Sequence, residues 1–228
     1  MRASQTALDA LAGDIANVNT PGYRRQLVAF HELLGNSAGG VMSGGGAGAA
    51  FSSLSVAGGA MQATGRALDV ALPEGTFLAV RGPDGRGALT RGGALELGAD
   101  GTLQTTTGNR LDPAVKLPAG TKSDDVTIGA DGSVLVAGKS AGRLGLVSVR
   151  TPQALASAGD GLLTATAASG PARATTAAHV QAGMLEASGV DLGEAMVDLT
   201  TAQRSFDLSS KAFQAADEAL RIANEVKR

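Results

Sequence analysis

Residues 191–226 read DLGEAMVDLTTAQRSFDLSSKAFQAADEALRIANEV. Along them Leu192, Leu199, Phe206, Phe213 and Leu220 recur every seven positions, with Ala195, Ala202, Ser209, Ala216 and Ala223 between them at the same interval. Alternating steps of three and four keep one stripe on one side of a helix, and the alternation of bulky with small residues lets a neighbour's large side chains fill the small positions. The stretch predicts a single helix with a coiled-coil seam. At about 1.5 Å per residue its 36 residues extend roughly 54 Å.

A shorter seam opens the chain: Met1, Ser4, Leu8, Leu11, Ile15 and Val18 are spaced three, four, three, four and three apart. Helical residues 2–17 would reach only about 24 Å. More than half of the C-terminal seam then lacks a mate within its own chain, and the expectation is that other molecules cover it. On this reading the chain is an assembly protein.

Composition narrows the class. The 228 residues suit one or two domains; 43% are hydrophobic, yet only 3% are aromatic and 33 are Gly, so the core must be light and aliphatic. Net charge is 19 − 21 = −2 with no basic block, which argues against nucleic acid or an anionic membrane surface as partner. The absence of Cys excludes disulfides, thiolate metal sites and a Cys nucleophile. No run approaches a membrane span, and the N-terminus lacks the basic, apolar and small-residue sequence of a cleaved signal peptide. If the chain leaves the cytoplasm, it is expected to do so without one.

Between the helical ends the character changes twice. Residues 34–65 are dominated by Gly, Ser and Ala, a poor helix and a weak strand, and read as an extended connector. From 68 to 149, short apolar runs (68–72, 77–80, 126–128, 134–136 and 144–149) alternate with Pro83-Asp84-Gly85, Asp100-Gly101, Gly108-Asn109 and Asp131-Gly132. Asp-Gly pairs supply the positive φ of tight hairpins, so this is an antiparallel β domain. Gly98-Ala99-Asp100-Gly101 and Gly129-Ala130-Asp131-Gly132 repeat one turn between two pairs of short runs, which predicts two hairpins. The fold class is therefore α+β, mainly β: an antiparallel domain (67–182) flanked by coiled-coil helices that pack together (1–25 with 183–228), joined through a connector (26–66).

The N-terminal helix is expected to stop in Ala16-Asn17-Val18-Asn19-Thr20-Pro21-Gly22-Tyr23. Pro21 disfavours helix at Thr20, and Pro followed by Gly suits the central positions of a type II turn.

This segment, with the basic Arg24 after it, resembles the close of the N-terminal helix in the axial proteins of the bacterial flagellum, the rod and hook subunits. Gly183-Met184-Leu185-Glu186-Ala187-Ser188-Gly189-Val190 and Thr201-Ala202-Gln203-Arg204-Ser205-Phe206 are similar to the beginning and the Gln-Arg-aromatic signature of that family's C-terminal helix. Residues 62–71 (QATGRALDVA), Leu89-Thr90-Arg91, Ala99-Asp100-Gly101 and Thr166-Ala167-Ala168-Ser169-Gly170 extend the likeness in order over nearly the whole chain. Within the family it is greatest to subunits of the distal rod, carried by Phe30-His31-Glu32-Leu33-Leu34, and the compact β region leaves no room for the outer domains typical of hook subunits. Hook and proximal-rod subunits are the alternative. Two features depart from the pattern: the chain opens inside what the family would make a longer helix, and Pro73-Glu74-Gly75-Thr76 replaces an acidic, Gly-rich turn.

The resemblance implies a subunit that pairs its terminal helices into an inner tube, carries the β domain outside and stacks into a shaft transmitting torque to the hook. It implies other rod, hook and ring proteins and the flagellar export apparatus as partners, and the basal body as location. It implies no enzyme activity, cofactor, metal, nucleic acid or small-molecule substrate. The seam residues expected at the assembly interface from their spacing are Leu8, Leu11, Ile15, Val18, Leu192, Leu199, Phe206, Phe213 and Leu220. The turn motif comprises Asn17, Asn19, Thr20, Pro21, Gly22 and Tyr23.

Enzyme readings are weak. Gly35-Asn36-Ser37-Ala38-Gly39 matches a hydrolase elbow, with His179 downstream, and gives a remote alternative, a secreted serine hydrolase using Ser37. That motif needs a buried strand before it and a helix after it, whereas Ser37 opens a Gly/Ala-rich stretch. Gly44, Gly46 and Ala49 mimic a dinucleotide loop without the βαβ context. His31 and His179 are the only histidines and form no metal pattern; His31 is expected on an amphipathic turn and His179 in a solvated loop.

Overall fold

The computed structural model describes residues 2–34, 44–82, 84–176 and 179–226. Among these the chain is α+β with strands predominating, and it divides into two compact units.

One unit comprises Met1–Ala16, Gln26–Ser52 and Asp191–Arg228. It holds α1 (Arg2–Ala16), β1 (Gln26–Leu34), β2 (Gly44–Leu54, its last residues belonging to the other unit) and the long α2 (Leu192–Val226). α1 packs on α2 and beside β1, which pairs with β2. Asp191 caps α2: its Oδ1 accepts the Glu194 N–H at 2.9 Å, a donor that a helix start leaves free, and its carbonyl accepts the Ala195 N–H at 2.9 Å as the first intrahelical bond. Asp14, fully buried, accepts the Gln26 N–H at 3.1 Å and so fastens the start of β1 to α1.

Residues 26–66 are not a connector throughout, since β1 and β2 form a two-stranded sheet within them. Long-range pairing supplies the order that the Gly- and Ala-rich composition withholds locally. Gly44, Gly46 and Ala49 accordingly sit in a strand, as does His31 in β1 rather than on a turn. α1 also ends at Ala16, so Val18 falls in the turn instead of on the helical seam. There the Thr20 N–H bonds the Asn17 carbonyl at 3.0 Å and the Thr20 hydroxyl bonds Asn17 Oδ1 at 3.0 Å, a local alternative to helical bonding.

The other unit comprises Asn17–Arg25 and Ser53–Val190. The expected boundaries shift accordingly, because the turn segment and residues 183–190 belong with the β structure. Its strands are β3 (Met61–Ala63), β4 (Val70–Ala71), β5 (Thr76–Arg81), β6 (Gly87–Thr90), β7 (Leu95–Leu97), β8 (Leu103–Thr105), β9 (Arg110–Leu111), β10 (Val126–Ile128), β11 (Ser133–Val136), β12 (Lys139–Arg143), β13 (Leu146–Ser148), β14 (Ala156–Gly159), β15 (Leu162–Thr164), β16 (Arg173–Ala174), β17 (Gln181–Ala182) and β18 (Met184–Glu186). The main sheet runs β14-β15-β6-β5-β9-β8-β7, with β13 on β5 and β16 on β13; β10, β11 and β12 form a separate meander, and β17 and β18 return to pair with β4 and β3.

Both repeated turns close hairpins. In β7–β8, Leu97 faces Leu103, Gly101 N–H bonds Gly98 O at 2.9 Å and Gly98 N–H bonds Thr102 O at 2.9 Å. In β10–β11, Ile128 faces Val134, with matching bonds of 2.9 Å from Gly132 to Gly129 and 2.8 Å from Gly129 to Ser133. Asp100 accepts the Thr102 N–H at 3.0 Å and Asp131 the Ser133 N–H at 3.1 Å, so each turn is tied by its own aspartate.

Leu78, Val80, Leu95, Leu103, Leu111 and Val134 make the centre of the aliphatic core, all essentially without solvent contact. Each such burial contributes about 1.5–3 kcal/mol. A second cluster gathers Leu54, Phe77, Leu89, Val149, Leu155 and Leu163.

Candidate assembly interface

Burial along α2 is graded. Ala195 is 1% exposed, and Leu199, Ala202, Phe206 and Ser209 are half-buried, at steps of four, three, four and three along one face. α1, at 15 residues, is about 22 Å long and α2, at 35 residues, about 52 Å. Consistent with that mismatch, every residue from 211 to 219 is exposed. Phe213, on the same stripe as Phe206, is 60% exposed, and Leu192 at the other end is 44% exposed. Met196, Val197, Leu208 and Ile222 add exposed apolar area elsewhere on the helix. The Leu220 side chain lies outside the described residues, as do Ser37 and its flanking glycines. On α1, Leu8, Leu11 and Ile15 are half-buried, and so is Val18 in the turn.

The C-terminal half of α2 keeps its polar residues on the surface. Arg221 bridges Glu218 at 2.5 Å and Glu225 at 3.2 Å, and the Glu218 hydrogen bond raises the Arg221 pKa. These i,i+3 and i,i+4 pairs support a helix that carries little packing of its own.

The turn motif is built into the β unit. Thr20, Pro21, Gly22 and Tyr23 form a turn closed by the Tyr23 N–H on Thr20 O at 3.2 Å, with Gly22 at φ +71°. A Cβ on Gly22 would sit 2.4 Å from the Arg91 backbone, so the position demands glycine both for its torsion and for its proximity to Leu89-Thr90-Arg91. Tyr23 is buried and its carbonyl accepts the Gly189 N–H at 2.9 Å, while the Gly22 N–H bonds the Glu186 carbonyl at 2.8 Å. Asn19 lies exposed at the tip.

Beneath this turn lies a buried ionic cluster. Glu186, at 3% exposure, holds Arg24 Nη2 on Oε1 at 2.9 Å and Arg91 Nε on Oε2 at 3.0 Å, with Arg91 Nη2 on the same oxygen. Arg91 Nη1 also donates to Thr76 O at 2.7 Å and Pro73 O at 3.1 Å, and its Nη2 to Leu72 O at 3.1 Å. Arg24 donates to the Val56 carbonyl. Burial lowers the Arg24 pKa, the like charge of Arg91 adds to that, and Glu186 and Glu74 oppose it. A buried charge survives only when its hydrogen bonds are met, and here carboxylate and carbonyls meet them. Nothing in the sequence around Arg24, Arg91 or Glu186 assigns any of them a role.

The cluster carries no nucleophile or acid–base pair. The adjoining cleft is lined by Leu54, Phe77, Pro152 and Leu163 with Arg24, Glu74 and Gln153 at its polar edge. His179 is exposed in a coil. Among the described residues no group of three or more acidic, His or Cys side chains could hold a metal ion, and no helix is long and apolar enough to cross a membrane.

Known proteins align with both parts. The profile of the flagellar hook protein FlgE/F/G D1 domain matches residues 74–136, and that of the flagellar basal body rod FlgEFG protein C-terminal region matches residues 181–226. The chain is 33% identical to the flagellar basal-body rod protein FlgG of Bacillus subtilis, over 100% of this chain and 96% of the relative. It is 30% identical to that of Borreliella burgdorferi, again over 100% and 96%, and 32% identical to that of Agrobacterium fabrum, over 99% and 95%. With its terminal and central segments matched in order along its full length, the chain belongs to the flagellar basal-body rod protein family.

Proposed function

We propose that this chain is a structural subunit of the bacterial flagellar basal-body rod, in its distal part, and that copies of it stack into a helical shaft transmitting motor torque to the hook. End-to-end similarity to rod proteins named FlgG carries the reading. Exposed apolar residues on α2 give it a physical basis: Phe213 in its C-terminal half and Leu192 at its start leave apolar area in water that neighbouring copies would cover. In the assembled rod α1 and α2 form a coiled-coil layer, with Leu8, Leu11, Ile15, Leu199 and Phe206 at its inner seam and Leu192, Phe213 and Leu220 in contacts between copies. Head-to-tail contacts that do not close on themselves generate a filament, and close-packed side chains resist compression under torsion. The partners are other copies of the chain and neighbouring flagellar proteins, reached through the flagellar export apparatus. The role is structural, not catalytic.

Deleting the gene should abolish motility and leave basal bodies with an incomplete rod in electron micrographs, and restoring the wild-type chain should recover both. A motile deletion strain with intact rods would overturn the reading.

A further inference from the structure

We propose that Glu186 is a clamp that makes the ordering of residues 17–25 and residues 183–190 mutually dependent, so that neither segment seats on the β unit without the other. Glu186 reaches the first segment twice. Its carbonyl accepts the Gly22 N–H at 2.8 Å, and its carboxylate holds the Arg24 guanidinium at 2.9 Å. It reaches the sheet through Arg91, whose remaining donors are spent on Leu72, Pro73 and Thr76 carbonyls. The first segment reaches back, since Tyr23 O accepts the Gly189 N–H at 2.9 Å.

The space around the carboxylate admits little substitution. A Cβ on Gly58 would lie 1.9 Å from Glu186 Oε1 and 2.8 Å from Arg24 Nη1, so the chain passes directly over the ion pair. Side chains of Arg24, Arg91 and Glu186 are each exposed by 8% or less. Withdrawing either segment therefore strands a charge in a site that water reaches poorly. An uncompensated buried charge is far less tolerable than a missing surface pair. Such a cluster behaves as a unit, and its members lose their partners together.

Residues 17–25 follow α1 in the chain and residues 183–190 precede α2. On the assembly reading above, which this consequence rests on, the clamp orders together the two segments that adjoin the helices in the chain. The clamp itself does not depend on what the chain assembles into, and it is testable in the free protein.

The test is amide hydrogen exchange on the full chain, comparing wild type with Arg24→Gln and Glu186→Gln. The decisive readout is across segments: Arg24→Gln alters residues 17–25, and the reporters are the Ala187 and Gly189 amides, bonded to Ala60 O and Tyr23 O. Both should exchange at least about tenfold faster, together with the Gly22 amide, while the core Leu103 and Asp112 amides stay within about threefold. In the double variant Arg24→Gln/Glu186→Gln the acceleration should not exceed that of Glu186→Gln alone, because the second change removes a charge already stranded. Should Glu186→Gln fail to fold, Arg24→Lys keeps the charge, loses the paired geometry and is read at the same amides. Acceleration at Gly22 with Ala187 and Gly189 unchanged, or additive effects in the double variant, would overturn the clamp and leave the rod reading intact. Wild-type exchange in both variants would likewise overturn the clamp, whereas a motile deletion strain with intact rods would overturn the rod reading and leave the clamp standing.

Discussion

Phe206 and Phe213 stand one heptad apart on the same stripe of α2, yet Phe206 is half-buried and Phe213 is 60% exposed. The difference tracks the reach of α1, which at about 22 Å is less than half the length of the helix it packs on. Replacing the two residues by Asp should separate folding from assembly. Phe213→Asp should change the stability of the free chain by no more than about 0.5 kcal/mol, as for other surface positions, and block assembly. Phe206→Asp should cost about 1–3 kcal/mol in urea unfolding as well as block assembly, because a charge enters a partly packed seam. Normal motility with Phe213→Asp would remove the stripe from the interface.

Gly22 tests the seating of the turn. Gly22→Ala combines a φ of +71° with backbone atoms 2.4 Å from the new Cβ, whereas Gly108→Ala meets φ +81° in open space. Torsional strain alone costs about 1 kcal/mol, so Gly108→Ala should lose roughly that much and Gly22→Ala at least about twice as much by denaturant unfolding. Equal losses would mean the turn does not press on Arg91.

The two aspartate turns predict an acid response. The Ser133 hydroxyl, the Ser133 N–H and Arg143 (2.6 Å) hold Asp131 well below the usual carboxylate range, at about 2, and the Thr102 hydroxyl and N–H lower Asp100 likewise. A carboxylate whose folded pKa is depressed stabilises the native state above its unfolded value, near 3.8, and that stabilisation is lost as pH falls from there toward 2. Side-chain carboxyl shifts followed by NMR should place the Asp131 midpoint near 2 and move it upward in Ser133→Ala. An Asp131 midpoint near 3.8 in the wild type would show that the turn is not tied by its aspartate.

Asp191 offers a local test at the start of α2. Asp191→Ala removes the acceptor for the Glu194 N–H, and should cost about 1 kcal/mol in thermal unfolding; Asp191→Asn, which keeps the acceptor, should cost much less. Equal losses would mean that the cap bond is not the source of the effect.

Sequence periodicity made the helices legible, because the stripes at Leu8, Leu11 and Ile15 and from Leu192 to Leu220 are local and repetitive. Turn chemistry did the same for the hairpins at Asp100-Gly101 and Asp131-Gly132. β1 and β2 escaped notice since Gly44-Gly45-Gly46 and the alanines after them show no alternation of apolar and polar side chains, and their pairing is a tertiary matter. The Glu186 cluster was hidden for another reason. Arg91 and Glu186 are 95 positions apart, and nothing in either neighbourhood distinguishes a buried ion pair from two solvated charges until the chain at Gly58 passes over the carboxylate. Val18 fits the spacing of a seam but not the helix, which the Thr20-Pro21 turn ends two residues before it.

In the rod, other copies of the chain should cover the exposed stripe of α2. The chain has no cysteine, so Phe213→Cys places a single thiol on that stripe, and its rate of maleimide labelling can be measured in the free protein and in isolated basal bodies. A control thiol from Arg86→Cys, on an exposed β-unit turn, reports general access. Labelling at position 213 should be rapid in the free chain and strongly suppressed in the rod, relative to position 86. Equal labelling at position 213 in both states would contradict it.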